Sequence, residues 1–192
     1  MHDDEPRARF ERAFTDNYAA IAAYLVRRCA TREDAEDAAT EVFAVAWRRV
    51  GDLPAAPEDR LWLFGVARRV LANHARGERR RARLWHRLRD RSAPVHAAPE
   101  VVPSPGGWAA ARALRALGDA DRELLTLLAW DGLEVAEIAA VLRVSAPVVS
   151  RRLYRARERF ARALAAAGGR GDADLRGHDP ADLSLLAEEP IA

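Results

Sequence analysis

Between Leu133 and Leu164 the chain reads LEVAEIAAVLRVSAPVVSRRLYRARERFARAL, and its apolar spacing spells a short helix, a tight turn and a long basic helix. In the second helix Val149, Leu153, Ala156, Phe160 and Leu164 recur at steps of four and three, which makes one apolar stripe at helical period. The opposite face carries Ser150, Arg151, Tyr154, Arg155 and Glu158. Ser145 stands where an N-cap belongs, and Pro147 just inside the start is tolerated because its missing N–H would be orphaned anyway. The first helix turns Val135, Ile138, Ala139 and Leu142 inward, and small Ala139 lets the two helices cross closely. This is a helix-turn-helix with a cationic outer face, an arrangement that sets a second helix into the major groove of DNA. An arginine-rich face also suits a merely solvated helix, so the rest of the chain has to decide.

The 192 residues allow one or two small domains. Apolar residues at 49% against 31% charged describe a globular chain, and the formal charge of only +2 excludes a simple polycation. Lysine is absent, so every basic group is an arginine or a histidine, and what carries information is how charge is segregated along the chain. The single cysteine, Cys29, excludes an internal disulfide framework and fits a reducing compartment. The N-terminal MHDDEPRARF lacks the apolar segment of a signal peptide, and no apolar run approaches membrane-spanning length. A cytoplasmic location without a membrane partner is expected.

In the N-terminal half, Phe10, Phe14, Tyr18, Ile21, Ala22 and Leu25 mark an amphipathic helix over about 7–29. Thr31 followed by Asp34 predicts a capping-box start to a second helix reaching about Val50, with Ala35, Ala38, Ala39, Val42, Phe43, Ala46 and Val50 inward. Its other side gathers Glu33, Asp37, Thr40 and Glu41. Asp37 and Glu41 stack at i,i+4, a like-charge pair that costs a few tenths of a kcal/mol. An acidic patch kept at that cost suits a basic partner, although a solvated helix face explains it equally well. The loop GDLPAAPED, 51–59, leads into a third helix from about Arg60 into the eighties, with Trp62, Leu63, Val66, Ala67, Val70 and Leu71 inward and Trp62 and Phe64 read as core. Beyond His74 that helix turns intensely basic, with Arg76, Arg79, Arg80, Arg81 and Arg83 opposed by Glu78. Such density repels itself unless solvated or neutralised, and phosphate neutralisation with counterion release is its natural use.

RSAPVHAAPEVVPSPGG, 91–107, is rich in Pro, Ala and Gly without periodicity and reads as a flexible linker. A second helical unit begins near Trp108, turns at Gly118–Asp119 with Asp119 as the expected N-cap, and continues through Leu124, Leu125, Leu127, Leu128 and Trp130 to Asp131–Gly132, where the helix-turn-helix follows. After Ala167 six acids against two arginines, with glycines at the start, predict an acidic and mostly disordered tail. The expected fold is therefore all-α: two small helical modules, 1–91 and 108–167, joined by a flexible linker, 92–107, and followed by a tail, 168–192. Two weak DNA-facing modules on one tether gain from effective concentration.

These residues resemble the extracytoplasmic-function group of the sigma-70 family, the dissociable promoter-recognition subunits of bacterial RNA polymerase. AEDAATEVFAVAWRRV, 35–50, followed by RLWLFGVARRVLANHARGERR, 60–80, is similar to region 2 of that family. LRALGDADRELLTLLAWDGLEVAEIAAVLRVSAPVVSRRLYRARERF, 114–160, is similar to region 4. The resemblance implies that Asp37, Thr40 and Glu41 dock on the clamp helices of the polymerase's largest subunit, with Thr40 standing where glutamine is usual. It implies that the loop 51–59 and the following helix, through Arg60, Arg69, Asn73, Arg76, Arg79 and Arg80, read and melt the −10 element of promoter DNA. Extruding a base costs a few kcal/mol, which pocket and phosphate contacts offset. In the helix-turn-helix it points Ser150, Arg151 and Tyr154 at base edges of the −35 element and Arg152 and Arg155 at phosphates, with Arg152 on the flank of the apolar stripe. Arg143 stands where the turn usually has glycine. A left-handed conformation there costs arginine on the order of 1 kcal/mol. An anti-sigma factor is the family's usual inhibitor.

Nothing in the chain argues for an enzyme, a cofactor, a metal or a small-molecule substrate. The five histidines are scattered without metal-ligand spacing, and no glycine-rich phosphate loop or G-x-S-x-G elbow occurs. Two other readings compete with a sigma factor. A stand-alone helix-turn-helix regulator leaves the acidic face and the separate basic module without a use and lacks an evident dimerisation element. A pure interaction protein, an adaptor or anti-sigma partner, has no use for Ser150, Arg151 and Tyr154.

Overall fold

The computed structural model describes residues 4–86 and 105–167, without the side chains of 4, 78–86 and 105–108. Among them are seven α-helices, one short 3-10 helix and no strand. The chain divides into two compact units, Met1–Glu100 and Val101–Ala192. The tail expected at 168–192, and the expected linker up to 104, lie outside the described residues. The linker's last three positions do not: a helix starts at Pro105, where proline's fixed φ suits a first helical residue.

The first unit is three helices, α1 (Asp4–Val26), α2 (Arg32–Arg48) and α3 (Glu58–His86), with the short 3-10 turn Val50–Asp52 between the last two. All three pack on one another. The start of α2 is the expected capping box: Thr31 Oγ1 accepts the Asp34 N–H at 3.0 Å, and Asp34 Oδ2 accepts the Thr31 N–H at 3.2 Å. The core joins Ile21, Tyr24 and Leu25 to Val42 and Phe43 of α2 and to Leu63, Phe64 and Val70 of α3. Tyr24 meets Phe64 edge-on at 5.2 Å between ring centres.

Two sequence expectations fail here for one reason. Phe14 and Tyr18, expected inward, are 38% and 44% exposed, while Ala13 and Asn17 are buried. Steps of four residues advance about 40° beyond a full turn, so Phe10, Phe14 and Tyr18 form a line that drifts around α1. Packing selects the neighbouring line, Ala13, Asn17, Ile21 and Tyr24. A small and a polar residue hid that line from an apolar pattern. Asn17 is buried without loss because its amide donates to Ala13 O at 3.0 Å and to Asp59 Oδ2 at 3.1 Å. Likewise Trp62 and Leu71 of α3 are only half-buried, whereas Phe64 is fully enclosed.

The second unit comprises α4 (Pro105–Ala116), α5 (Asp119–Ala129), α6 (Val135–Leu142) and α7 (Ala146–Ala166). Helix α7 is the hub and packs against each of the other three. The N-cap of α5 is Gly118 rather than the expected Asp119, which is the first helical residue and still sits at the positive helix end. Arg122 one turn on donates to the carbonyls of Leu114, Arg115 and Leu117, covering acceptors that the end of α4 leaves open. Gly132, at φ +64°, makes the turn after α5 that an L side chain would strain. In α6 the buried residues are Ile138, Ala139 and Val141, while Val135 and Leu142 stay half-exposed.

Candidate nucleic-acid interface

The turn between α6 and α7 decides how the basic helix is presented. Arg143 caps α6 at φ 56°, ψ 47°, in the left-handed region. Its own N–H and that of Val144 return to carbonyls of α6, the latter to Ala139 O at 3.0 Å. The conformation glycine favours is thus held by an arginine, at a cost of about 1 kcal/mol. Ser145 is the N-cap of α7 by backbone geometry, with carbonyl bonds to the Val148 and Val149 N–H groups, but its side chain makes no cap bond.

Along α7, Val149, Leu153 and Ala156 are buried against the hub. Ser150, Arg151, Arg152, Tyr154 and Arg155 are all exposed, Tyr154 at 67%. The flanking Arg152 is exposed as well. Ser150 donates its hydroxyl to Ala146 O at 3.1 Å, leaving its oxygen lone pairs outward. Among the described residues, none of Arg151, Arg152 and Arg155 pairs with a carboxylate. One turn further the picture changes: Arg159 binds Asp121 of α5 at 2.6 Å. At the helix end Arg112 of α4 donates to the Ala167 carbonyl. The C-terminal half of α7 is tied to the module, and its N-terminal half projects unpaired guanidiniums, a tyrosine and a hydroxyl.

Helix α3 is organised differently. Arg69, Asn73 and Arg76 are exposed and share one side. They already hold one another or the helix: Arg69 Nε donates to Gly65 O at 3.0 Å, and Arg76 donates to Asn73 Oδ1. Arg60 lies nine residues before Arg69, about half a turn round the helix, with its guanidinium 5.8 Å from the Phe64 ring centre. The structure does not bring it to the face of the other three. The side chains of Arg79 and Arg80 lie outside those described. Trp62, read as core, is half-buried and falls seven residues before Arg69, on that same polar side. An aromatic spaced in register with polar positions is the signal that could have flagged it.

On α2, Asp37 and Thr40 are exposed, and Thr40 donates back to Glu36 O at 3.0 Å. Glu41 is not a free acid: its Oε2 lies 2.7 Å from Nε2 of His74 on α3, with both side chains about 40% exposed. That contact ties Glu41 to a residue 33 positions further along the chain. No group of three or more metal-ligating side chains occurs among the described residues, and none of their helices is long and apolar enough to cross a membrane.

These surfaces define an all-helical, two-module protein whose second module presents a helix-turn-helix. Residues 13–81 match the family described as Sigma-70 region 2, and residues 108–160 match Sigma-70, region 4. The chain belongs to the sigma-70 family. It is 31% identical over 144 residues to the ECF RNA polymerase sigma factor BldN of Streptomyces coelicolor, which covers 73% of this chain and 54% of BldN, so the chain spans about half of that relative's length. It is 28% identical over 157 residues to the RNA polymerase sigma-H factor of Pseudomonas aeruginosa, covering 75% of this chain and 80% of that protein. Among solved structures, the sigma factor RpoE of Bartonella quintana, determined with the anti-sigma factor NepR, superposes with a TM-score of 0.63 at 20% identity over 81% of this chain and 96% of RpoE. CnrH, determined with the cytosolic domain of CnrY, gives 0.57 at 23% identity over 82% of this chain and 88% of CnrH. At those identities the two structures speak for the fold alone.

Proposed function

We propose that the chain is a promoter-specificity factor of bacterial RNA polymerase, acting in the cytoplasm and using polymerase rather than itself as the catalyst. The observation that carries this reading is the pairing of a region 2 module with a region 4 module whose recognition helix presents Ser150, Arg151, Arg152, Tyr154 and Arg155 to solvent. Arg151 has the reach and planarity to hold guanine bidentately, a contact worth about 1–3 kcal/mol of discrimination. Ser150 and Tyr154 flank it toward base edges, and Arg152 and Arg155 suit phosphates, which set register and salt dependence without sequence information.

Residues 1–91 take the downstream role, with the loop 51–59 and Arg69, Asn73 and Arg76 of α3 on the −10 element, Arg79 and Arg80 extending that helix, and Arg60 nearer the loop. The Arg76–Asn73 bond and the bond of Arg69 to the helix backbone have to exchange for phosphate or base contacts as DNA opens. Asp37, Thr40 and Glu41 supply the docking face for the clamp helices of the largest polymerase subunit. Residues 92–104 act as the strap between modules, and 168–192 as a tail. RpoE and CnrH were each solved with a protein partner, which supports an anti-sigma factor as this chain's inhibitor.

The test is reconstituted transcription with purified chain and core polymerase on a pool of genomic promoter fragments. Discrete start sites that vanish without the chain are expected. Duplex binding without any core binding would instead favour a regulator working without polymerase, for which the region 2 module has no evident use.

A further inference from the structure

The loop between α2 and α3 is planted on α1 at both ends. Leu53 is 2% exposed and Asp59 5%, whereas Ala55, Ala56, Pro57 and Glu58 between them stand open to solvent. At the first foot the 3-10 turn packs on α1, and Arg9 Nη1 reaches the Leu53 carbonyl at 3.4 Å, a long bond. At the second foot the Asp59 carboxylate is held from two sides: Oδ2 accepts from the Asn17 amide at 3.1 Å, and Oδ1 from the Arg60 N–H at 2.8 Å. The arch also closes on itself, because the Glu58 and Asp59 N–H groups both donate to Ala55 O, at 3.0 and 3.2 Å. Arg9, Ala13 and Asn17 follow one another at steps of four, so one line of α1 serves both feet.

A buried carboxylate is costly to keep, and its desolvation is offset only by donors aimed at it. An apolar pair would fill the same space without that cost. What the charged, two-sided bond adds is direction: it admits one orientation of Asp59, and so one path for the chain leaving the arch. Asn17 is itself fixed, because the second hydrogen of its amide goes to Ala13 O at 3.0 Å. We propose that Asn17 is a positioning residue for the loop, presetting through Asp59 the conformation in which 54–58 meets a base of the opened −10 strand. Asn17, only 5% exposed, acts without touching the strand. A loop ordered during folding has little conformational entropy left to lose when the strand binds, and the difference appears as affinity. The inference deepens the −10 reading given above and rests on it.

The start sites mapped by reconstituted transcription supply the probe, a single-stranded oligonucleotide carrying the −10 sequence upstream of one of them. Its binding to the full chain on core polymerase is compared with that of a scrambled strand. Asn17→Leu, which keeps the bulk and removes the donor, should lower the preference for the matching strand by about tenfold or more. Core binding and upstream-duplex binding should stay unchanged at a temperature where the variant is folded. Asn17→Asp with Asp59→Asn places the donor on the other side of the same bond and should restore most of the preference. Asn17→Asp alone, with two carboxylates face to face, should not. Lowered thermal stability with the preference intact would overturn the proposal and make the pair a packing contact only. Should the variants fail to fold, hydrogen exchange in the wild-type complex with core decides. The Glu58 and Asp59 amides should be protected before any strand is added, and protection that appears only with the strand would overturn the presetting. A wild-type chain that binds core yet shows no preference for the matching strand would instead remove the −10 reading of the loop, and this inference with it.

Discussion

Helices α3 and α7 are both long, basic and amphipathic, yet they hold their polar groups in opposite states. On α7 the residues from Ser150 to Arg155 stand clear of every carboxylate among the described residues, on a helix clamped along its other side by α4, α5 and α6. On α3 the corresponding groups are engaged, Arg69 with the helix backbone, Asn73 with Arg76, and His74 with Glu41 of α2. A presented set of guanidinium donors can read an intact groove at once, because no internal ion pair has to break first. An engaged set suits a task in which the ligand itself changes, as when duplex opens and new phosphates and bases replace the internal partners.

The contrast can be broken or sharpened by substitution. The largest effect should come from the clamp that presents α7: Leu153→Ala leaves a cavity beneath the helix and should cost about 2–5 kcal/mol of unfolding free energy in the second unit, read by denaturant titration. Next, Arg151→Ala should lose about 1–3 kcal/mol of preference for the cognate upstream element over a scrambled one, measured by competition, while core-polymerase binding persists. Loss of both would make α7 structural. Arg155→Ala should weaken cognate and scrambled duplexes alike and lower the salt slope by about 1. Arg143→Gly should gain about 1 kcal/mol by relieving the left-handed backbone, and a scan of thermal unfolding would show it. The smallest effect belongs to His74→Ala: at a half-exposed pair it should cost under about 1 kcal/mol of stability. If it changes core binding more than stability, the pair positions Glu41 for docking.

Much of this molecule was legible from spacing alone. The left-handed turn at Arg143 was flagged by the family resemblance, whereas the α7 stripe of Val149, Leu153 and Ala156 and the Thr31–Asp34 capping box depend on residues within one or two turns of each other. The failures share the opposite property. Phe14 and Tyr18 matched a helical period as well as any core residue, but two adjacent lines on α1 satisfy that period, and only the packing of α2 and α3 selects between them. Trp62 is left half-buried by the same choice, whereas the separation of Arg60 from Arg69 is a local half-turn along one helix.

By itself, then, the sequence determined the all-helical class, the order of the modules and the outward face of the recognition helix, because helix periodicity and capping are local. Tertiary structure alone decided that Glu41 is tied to His74, that Asn17 can be buried against Asp59, and that a row of aromatics lies open beside the acidic line of α2. Each of those depends on which surfaces meet across more than twenty residues of chain. No local period encodes that choice; it follows from the fit of three helices in one core.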